Sequence, residues 1–337
     1  MSNAIPREQP GPAATTGARI RSGVLGVLGL PGVGPLLALL LACAFFTSQS
    51  AQFLTGRNLS LVVQQVVVVG VQAIGQTLII LTAGIDLSNG NIMALSSVIM
   101  ASLAVGFGVP PVVAVAVGFL VAISFGLLNG LLVTQIRLPP FIVTLGTLNI
   151  ARALTLIYTT TTITDLPDAL LVFGNTFRVG RTAITYGSVL MVALYLIMWF
   201  VLGQTGWGRH VYSVGDNPEA TRLAGISTKR LLTGVYALAG LFYGIAALLL
   251  VARTGVGDPQ GGLTDNLESI TAVVLGGTSL FGGRGSMLGT LIGVLIIGVI
   301  RNGLQLMGVP SIYQVLVTGI LVILSVSVDQ LTHRGQG

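Results

Sequence analysis

A soluble chain of 337 residues would divide into about two domains, but apolar residues make up 53% of this one and charged residues 8%, against about 45–50% and about 25% in typical globular domains. That balance excludes a soluble protein and points to an all-α, polytopic membrane protein; the alternating segments of about ten residues that mark a β-barrel are missing. The net charge of +6 comes from cations scattered among the polar connections, a pattern of membrane topology rather than of nucleic-acid recognition.

Residues 1–22 are polar and rich in Pro, Gly, Ala and Thr, and read as a flexible cytoplasmic tail. A membrane-embedded body follows at 23–329, with a second cytoplasmic tail at 330–337. A bilayer span needs roughly 20 mainly apolar residues, and about ten windows qualify. They are Val24–Phe46, Leu59–Gly84, Asn91–Phe107, Val112–Gln135, Phe141–Tyr158, Ala183–Leu202, Leu231–Ala252, Leu267–Leu280, Ser286–Met307 and Ile312–Val328. With the N-terminus inside, the cytoplasmic side receives Arg7, Arg19, Arg21, Arg137, Arg209, Arg222, Lys229, Arg230, Arg284 and Arg334. The outer loops receive Arg57, Arg178 and Arg181, and this ten-to-three excess predicts cytoplasmic termini. Cys43, His210 and His333 are isolated, so no disulfide, metal or cofactor is expected.

Small residues recur at intervals of four, as in Gly285, Gly289 and Gly293, and let helix backbones approach closely. Two weak echoes suggest an internal two-fold repeat. Gly84–Gly90 parallels Gly277–Gly283, and Leu138-Pro139 parallels Val309-Pro310.

Asp86 is the acid most deeply set in apolar sequence. A carboxylate in mid-membrane costs about 2.5–3.5 kcal/mol on insertion scales, so it belongs at a break, which Gly84 and Gly90 permit. Ser88 or Asn89 would cap the next helix. A tight turn at a membrane face and a helix interruption lining the pathway both fit. Gln65, Gln72 and Gln76 share one helical face, with Gln64 beside them. Asn149, Asn302 and Gln305 add amides in later spans. Asp265 and Glu268 read as first-turn acids that complement a helix dipole. Asp86, Arg152 and Arg301 are too few for a proton relay.

The longest charged connection is 203–230. Within it Asn217 or Asp216 can cap a helix, Pro218 suits the first turn and Glu219 the positive end. Ala220, Thr221, Arg222, Leu223 and Ala224 continue it, and Gly225 can end it in a left-handed conformation. A helix of about two turns is predicted, bounded by flexible segments and placed to meet a soluble partner. Lys229 lies in GISTKR, without the glycine spacing that cradles nucleotide phosphates. No nucleophile–base set is visible, so the chain reads as a non-enzyme.

Several stretches together resemble the permease subunits of bacterial ATP-binding-cassette importers for monosaccharides, the ribose/xylose/arabinose group. They are TAGIDLSNGNIMALS (82–96), LPPFIVTLGTLNIARAL (138–154), GRHVYSVGDNPEATRLAGIS (208–227), AVVLGGTSLFGGRGSMLGTLIG (272–293) and NGLQLMGVPSIYQ (302–314). The resemblance implies a ten-helix permease in the bacterial inner membrane that pairs with a second permease. Two cytoplasmic ATP-binding subunits would drive it, and a periplasmic or lipid-anchored binding protein would deliver the monosaccharide. The family's coupling helix falls on Asn217–Ala224. Gln72, Gln76, Asp86, Ser88, Asn89 and Asn302 are the expected pathway or gate residues. The chain departs from the family pattern at Ser88-Asn89-Gly90, where SVG is usual, and at Asn266, where an acid is common. An ion-coupled secondary transporter and a non-transporting scaffold or receptor are the alternatives.

Overall fold

The computed structural model describes residues 33–180 and 182–334, so the expected tail at 1–22 and the start of the expected first span lie outside it. The described residues form α1 (Val33–Gln49), α2 (Gly56–Leu81), α3 (Asn89–Val105), α4 (Pro111–Leu131) and α5 (Pro140–Tyr158). After the short α6 (Asp168–Leu171) comes a hairpin of β1 (Thr176–Val179) and β2 (Thr182–Thr185). Then follow α7 (Tyr186–Gln204), α8 (Gly206–Asp216), α9 (Pro218–Leu223), α10 (Thr228–Thr254), α11 (Asp265–Leu275), α12 (Met287–Leu306) and α13 (Ser311–Arg334).

Local chemistry sets many of the boundaries. Pro111 and Pro140 sit in the first turns of α4 and α5, where a missing N–H costs nothing. The Thr185 and Ser286 hydroxyls accept from Ser188 N (3.2 Å) and Gly289 N (3.0 Å) and so cap α7 and α12. α4 passes into a π-helical turn at Leu132–Ile136 and stops at Arg137, whose φ is +64.

Among the described residues six helices are long and apolar enough to cross a membrane: α2, α4 with its π turn, α5, α7, α10 and α12. The central pair is α2 and α10, 83% and 78% buried over their apolar windows, whereas α4, α5 and α7 are 22–33% buried and turn most of their side chains outward. α10 packs along both α2 and α4. Its approach to α4 is so close that a Cβ at Gly126 would lie 2.3 Å from the Tyr236 carbonyl, and one at Gly240 2.5 Å from that of Ala122. Small residues do here what apolar collapse does in water, because lipid is as apolar as a leucine face.

Four expectations change. The predicted span Leu267–Leu280 is α11, a helix of 11 residues and hence about 16 Å long, half of a hydrocarbon core of about 30 Å. The predicted start of a span at Ala183 is instead strand β2, paired Thr176↔Thr185 with β1; its β-branched Thr182, Ile184 and Thr185 favour a pleated edge. Within the glycine series, Gly289 and Gly293 press on the α11 backbone, at 2.2 Å from Gly276 O and 1.9 Å from Ala272 O for a built Cβ. Gly285 lies in the preceding loop. The second tail expected at 330–337 begins inside α13, which runs to Arg334.

Candidate functional site

Between α2 and α3 the chain is non-helical from Thr82 to Ser88, and this break is buried. Asp86 is 1% exposed, and Ser88 and Asn89 are wholly enclosed. Buried backbone outside a helix must find partners elsewhere, and side chains of α2, α5 and α11 supply them. Thr144 of α5 donates to Ile85 O at 3.0 Å, and Asn266 of α11 donates to Leu87 O at 3.1 Å. Gln76 of α2, with its amide turned to match, donates to Asp86 O (3.1 Å) and accepts from Asp86 N (3.3 Å). The Asp86 carboxylate accepts from Ser88 N (2.7 Å), Ser88 Oγ (2.5 Å) and the Tyr243 hydroxyl of α10 (3.1 Å). Asn129 of α4 donates to Ser88 Oγ at 3.1 Å.

Capping runs opposite to expectation. Ser88 holds the N-cap position of α3 but caps nothing with its side chain. Its hydroxyl is spent on Asp86, which closes an Asx turn by accepting the Ser88 N–H. The glycines also act differently. The left-handed residue is Ala83, at φ +59, with Ala83 N donating to Ile80 O and Gly84 N to Ile79 O at 2.9 Å each, the Schellman pattern. Gly84 instead gives clearance, since a Cβ there would lie 2.9 Å from the Tyr236 hydroxyl, and one at Gly90 2.4 Å from Gly262 O.

The residues expected to line a pathway divide into two groups. Gln76, Asp86, Ser88 and Asn89 meet at the break, where Asn89 Nδ2 donates to Ser269 Oγ of α11 at 2.8 Å. Gln72 lies one turn along α2 and donates to Met93 Sδ at 2.9 Å. Asn302 is elsewhere, in a reciprocal pair with Asn58 (2.8 and 3.0 Å). Gln65 reaches Gln305 at 3.1 Å, Gln64 bonds to Ser60 at 2.9 Å, and exposed Asn149 bonds within its own helix to Leu145 O at 3.0 Å. Arg152 is exposed. Tyr243, Asn129, Thr144 and Ser269 were missed; a hydroxyl or amide inside an apolar run was the available signal.

The charged connection is almost wholly helical. α8 replaces the flexible segment expected before Asn217: Val211 and Val214 are buried against the bundle, while Arg209, His210 and Asp216 face outward. Gly215, near its end, meets the end of α2, where a Cβ would stand 1.8 Å from Leu81 O. The same carbonyl accepts from Gly283 N at 2.9 Å. The second of the two glycine-rich segments that echo one another in sequence thus meets the foot of α2, just before the first.

In α9, Asn217 Oδ1 accepts from Ala220 N at 2.9 Å and Pro218 fills the first turn. Ala224 is the C-cap, and Gly225 follows at φ +85. Gly225 N donates to Arg222 O (3.0 Å) and Ile226 N to Thr221 O (3.3 Å), a complete Schellman closure. Arg222 grips Glu219 with Nε at 3.1 Å and Nη2 at 2.5 Å. These hydrogen bonds and the guanidinium charge hold the Glu219 carboxyl below its ordinary pKa. Thr221 is 5% exposed and faces the bundle, whereas Leu223 is 74% exposed.

The described residues form a helical bundle whose buried polar groups surround a broken helix. Residues 58–326 match the family described as branched-chain amino acid transport system / permease component, and the chain belongs to that family. It is a multi-pass membrane protein and the permease component of a transport system. It is 45% identical over 311 residues to the fructose import permease of Rhizobium meliloti (90% of this chain, 86% of the relative). It is 41% identical over 301 residues to the ribose import permease of Bacillus subtilis (88% and 92%), and 33% identical over 329 residues to the L-arabinose permease of Azospirillum brasilense (96% and 94%). No solved structure gives a significant match.

Proposed function

We propose that this chain is the membrane-spanning subunit of an ATP-driven importer and forms the pathway for a monosaccharide. The observation that carries this reading is the identity of 45% and 41%, over about nine-tenths of the chain, to permeases named for fructose and ribose import. In this reading two cytoplasmic ATP-binding subunits dock below, a second permease completes the pathway, and a periplasmic or lipid-anchored binding protein delivers sugar to the bacterial inner membrane. ATP is hydrolysed on the partner subunits.

The coupling element is α9 with its caps, Asn217, Pro218, Glu219, Ala220, Thr221, Arg222, Ala224 and Gly225. The exposed Leu223 is its apolar anchor in a groove of the ATPase, as in other helix-in-groove contacts. The gate is the break at Asp86, Ser88 and Asn89 with Gln72 and Gln76. Closure of the ATPase pair draws α9, and α8 passes that movement to Leu81 through Gly215. Asn302, locked to Asn58, is withdrawn from the gate.

The test is reconstitution. Uptake of labelled D-ribose or D-fructose into proteoliposomes should require the ATPase, ATP and the binding protein together. Uptake by this chain alone, driven by a proton gradient and indifferent to ATP, would replace the reading with secondary transport. Binding without uptake by the complete set would leave a scaffold or receptor.

A further inference from the structure

A cavity of about 400 Å³ opens between α11, α12 and α13; its wall is mainly apolar but carries Thr264, Glu268, Arg301, Gln305, Ser311 and Gln314. Its size lies within the range of small-molecule sites, about 300–1,000 Å³. Two larger cavities, one beside α7 and one between α3, α4 and α5, are lined mainly by apolar side chains and suit lipid chains. The cavity at α11 differs in carrying an ion pair and two amides on its wall.

Its centre is an ion pair that the dipole reading of Glu268 did not foresee. Glu268 is 4% exposed. One carboxylate oxygen accepts from Arg301 Nη2, and the other has no protein partner. A third of the Arg301 side chain is exposed. Gln305, one helical turn beyond Arg301, accepts from Gln65 at 3.1 Å, and the Gln65 Oε1 atom is likewise buried without a partner. An apolar pair of similar volume would pack these helices at least as well. What the ionic set adds is hydrogen-bonding capacity: a carboxylate accepts several O–H donors, a guanidinium offers five N–H donors, and an amide offers both. Adjacent hydroxyls of a neutral solute satisfy all three.

We infer that this cavity is a transit subsite for a polyhydroxylated neutral solute, with Glu268, Arg301 and Gln305 as the residues that distinguish one sugar from another. The inference rests on the importer reading. Arg301 lies five residues from the Leu306 end of α12, so under the expected topology the subsite is in the outer half of the pathway, before the break at Asp86.

The experiment uses the complete transporter in proteoliposomes, with labelled D-ribose, D-fructose, D-allose and L-arabinose offered at saturating binding protein. The reversal Glu268→Arg with Arg301→Glu restores the ion pair but inverts the donors and acceptors presented to solute. We expect assembly and binding-protein-stimulated ATP hydrolysis within twofold of wild type, uptake at least tenfold lower, and an altered ranking of the sugars. Wild-type uptake and ranking in the reversal would make the pair structural and overturn the subsite. Gln305→Leu gives a second reading should the reversal fail to assemble: about fivefold loss of uptake is expected, and unchanged uptake overturns the inference. If the wild-type complex moves none of the four sugars, the importer reading fails and the subsite falls with it.

Discussion

Ala83 holds φ at +59 although the residue that would do so without cost is its neighbour Gly84. Left-handed backbone costs an L-residue about 1–2 kcal/mol, so Ala83→Gly should raise stability by about 0.5–1 kcal/mol after the added freedom of the unfolded chain is counted. Thermal unfolding in detergent measures this. Gly84→Ala should do the reverse, because its Cβ meets the Tyr236 hydroxyl. Gly225 has open space around it but φ of +85, so Gly225→Ala should cost about 1 kcal/mol by conformation alone. At the break, Asp86→Leu would leave the Ser88 N–H, the Ser88 O–H and the Tyr243 O–H without the acceptor they now share, at about 1–3 kcal/mol each. A large fall in the unfolding midpoint and loss of uptake are expected, with Asp86→Asn milder in both. From the sequence, Asp86 was legible as buried because a lone acid in an apolar run has to be placed somewhere. Its partners were not, because Tyr243 is 157 residues away along the chain and spacing carries no information across that distance.

Among the elements, α9 was legible and α8 was not, and the difference is local chemistry. α9 carries its own start and stop signals, Asn217-Pro218 and Gly225, whereas α8 contains Gly206, Gly208 and Gly215, each about 1 kcal/mol worse than Ala in a helix. Packing of Val211 and Val214 overrides that propensity. α11 misled for a related reason: an apolar run shows that a segment is buried, not whether it crosses. For α9 the exposed face predicts that Leu223→Asp and Glu219→Lys abolish co-purification of the ATPase while the permease keeps its unfolding midpoint; normal co-purification would count against docking there. The Glu219–Arg222 pair adds a pH test. Its carboxyl is held below the ordinary glutamate value of about 4.3, so its contribution is present above that value and lost as pH falls through the depressed one. Docking should therefore be level from pH 8 to 5 as far as this pair is concerned.

At the scale of the whole molecule, packing around Leu81 joins α9 to the break at Asp86. α9 leads back into α8, Gly215 of α8 rests on Leu81 O, and Leu81 ends α2 just before the break. Gly283 N, from the loop between α11 and α12, shares that carbonyl, and α11 in turn holds the break through Asn266 and Ser269. Interiors packed this closely shift between discrete arrangements rather than deform smoothly, so movement at α9 should reach the break through two routes that meet at Leu81. Gly215→Ala places a methyl 1.8 Å from the Leu81 oxygen and must part α8 from α2. The expected result is a complex that assembles and hydrolyses ATP on addition of binding protein, yet moves about tenfold less sugar per ATP. Parallel measurement of labelled sugar uptake and phosphate release in one proteoliposome preparation gives that ratio. An unchanged ratio in a correctly assembled variant would mean that the stroke bypasses Leu81, whereas loss of hydrolysis together with uptake would place Gly215 in docking rather than in transmission.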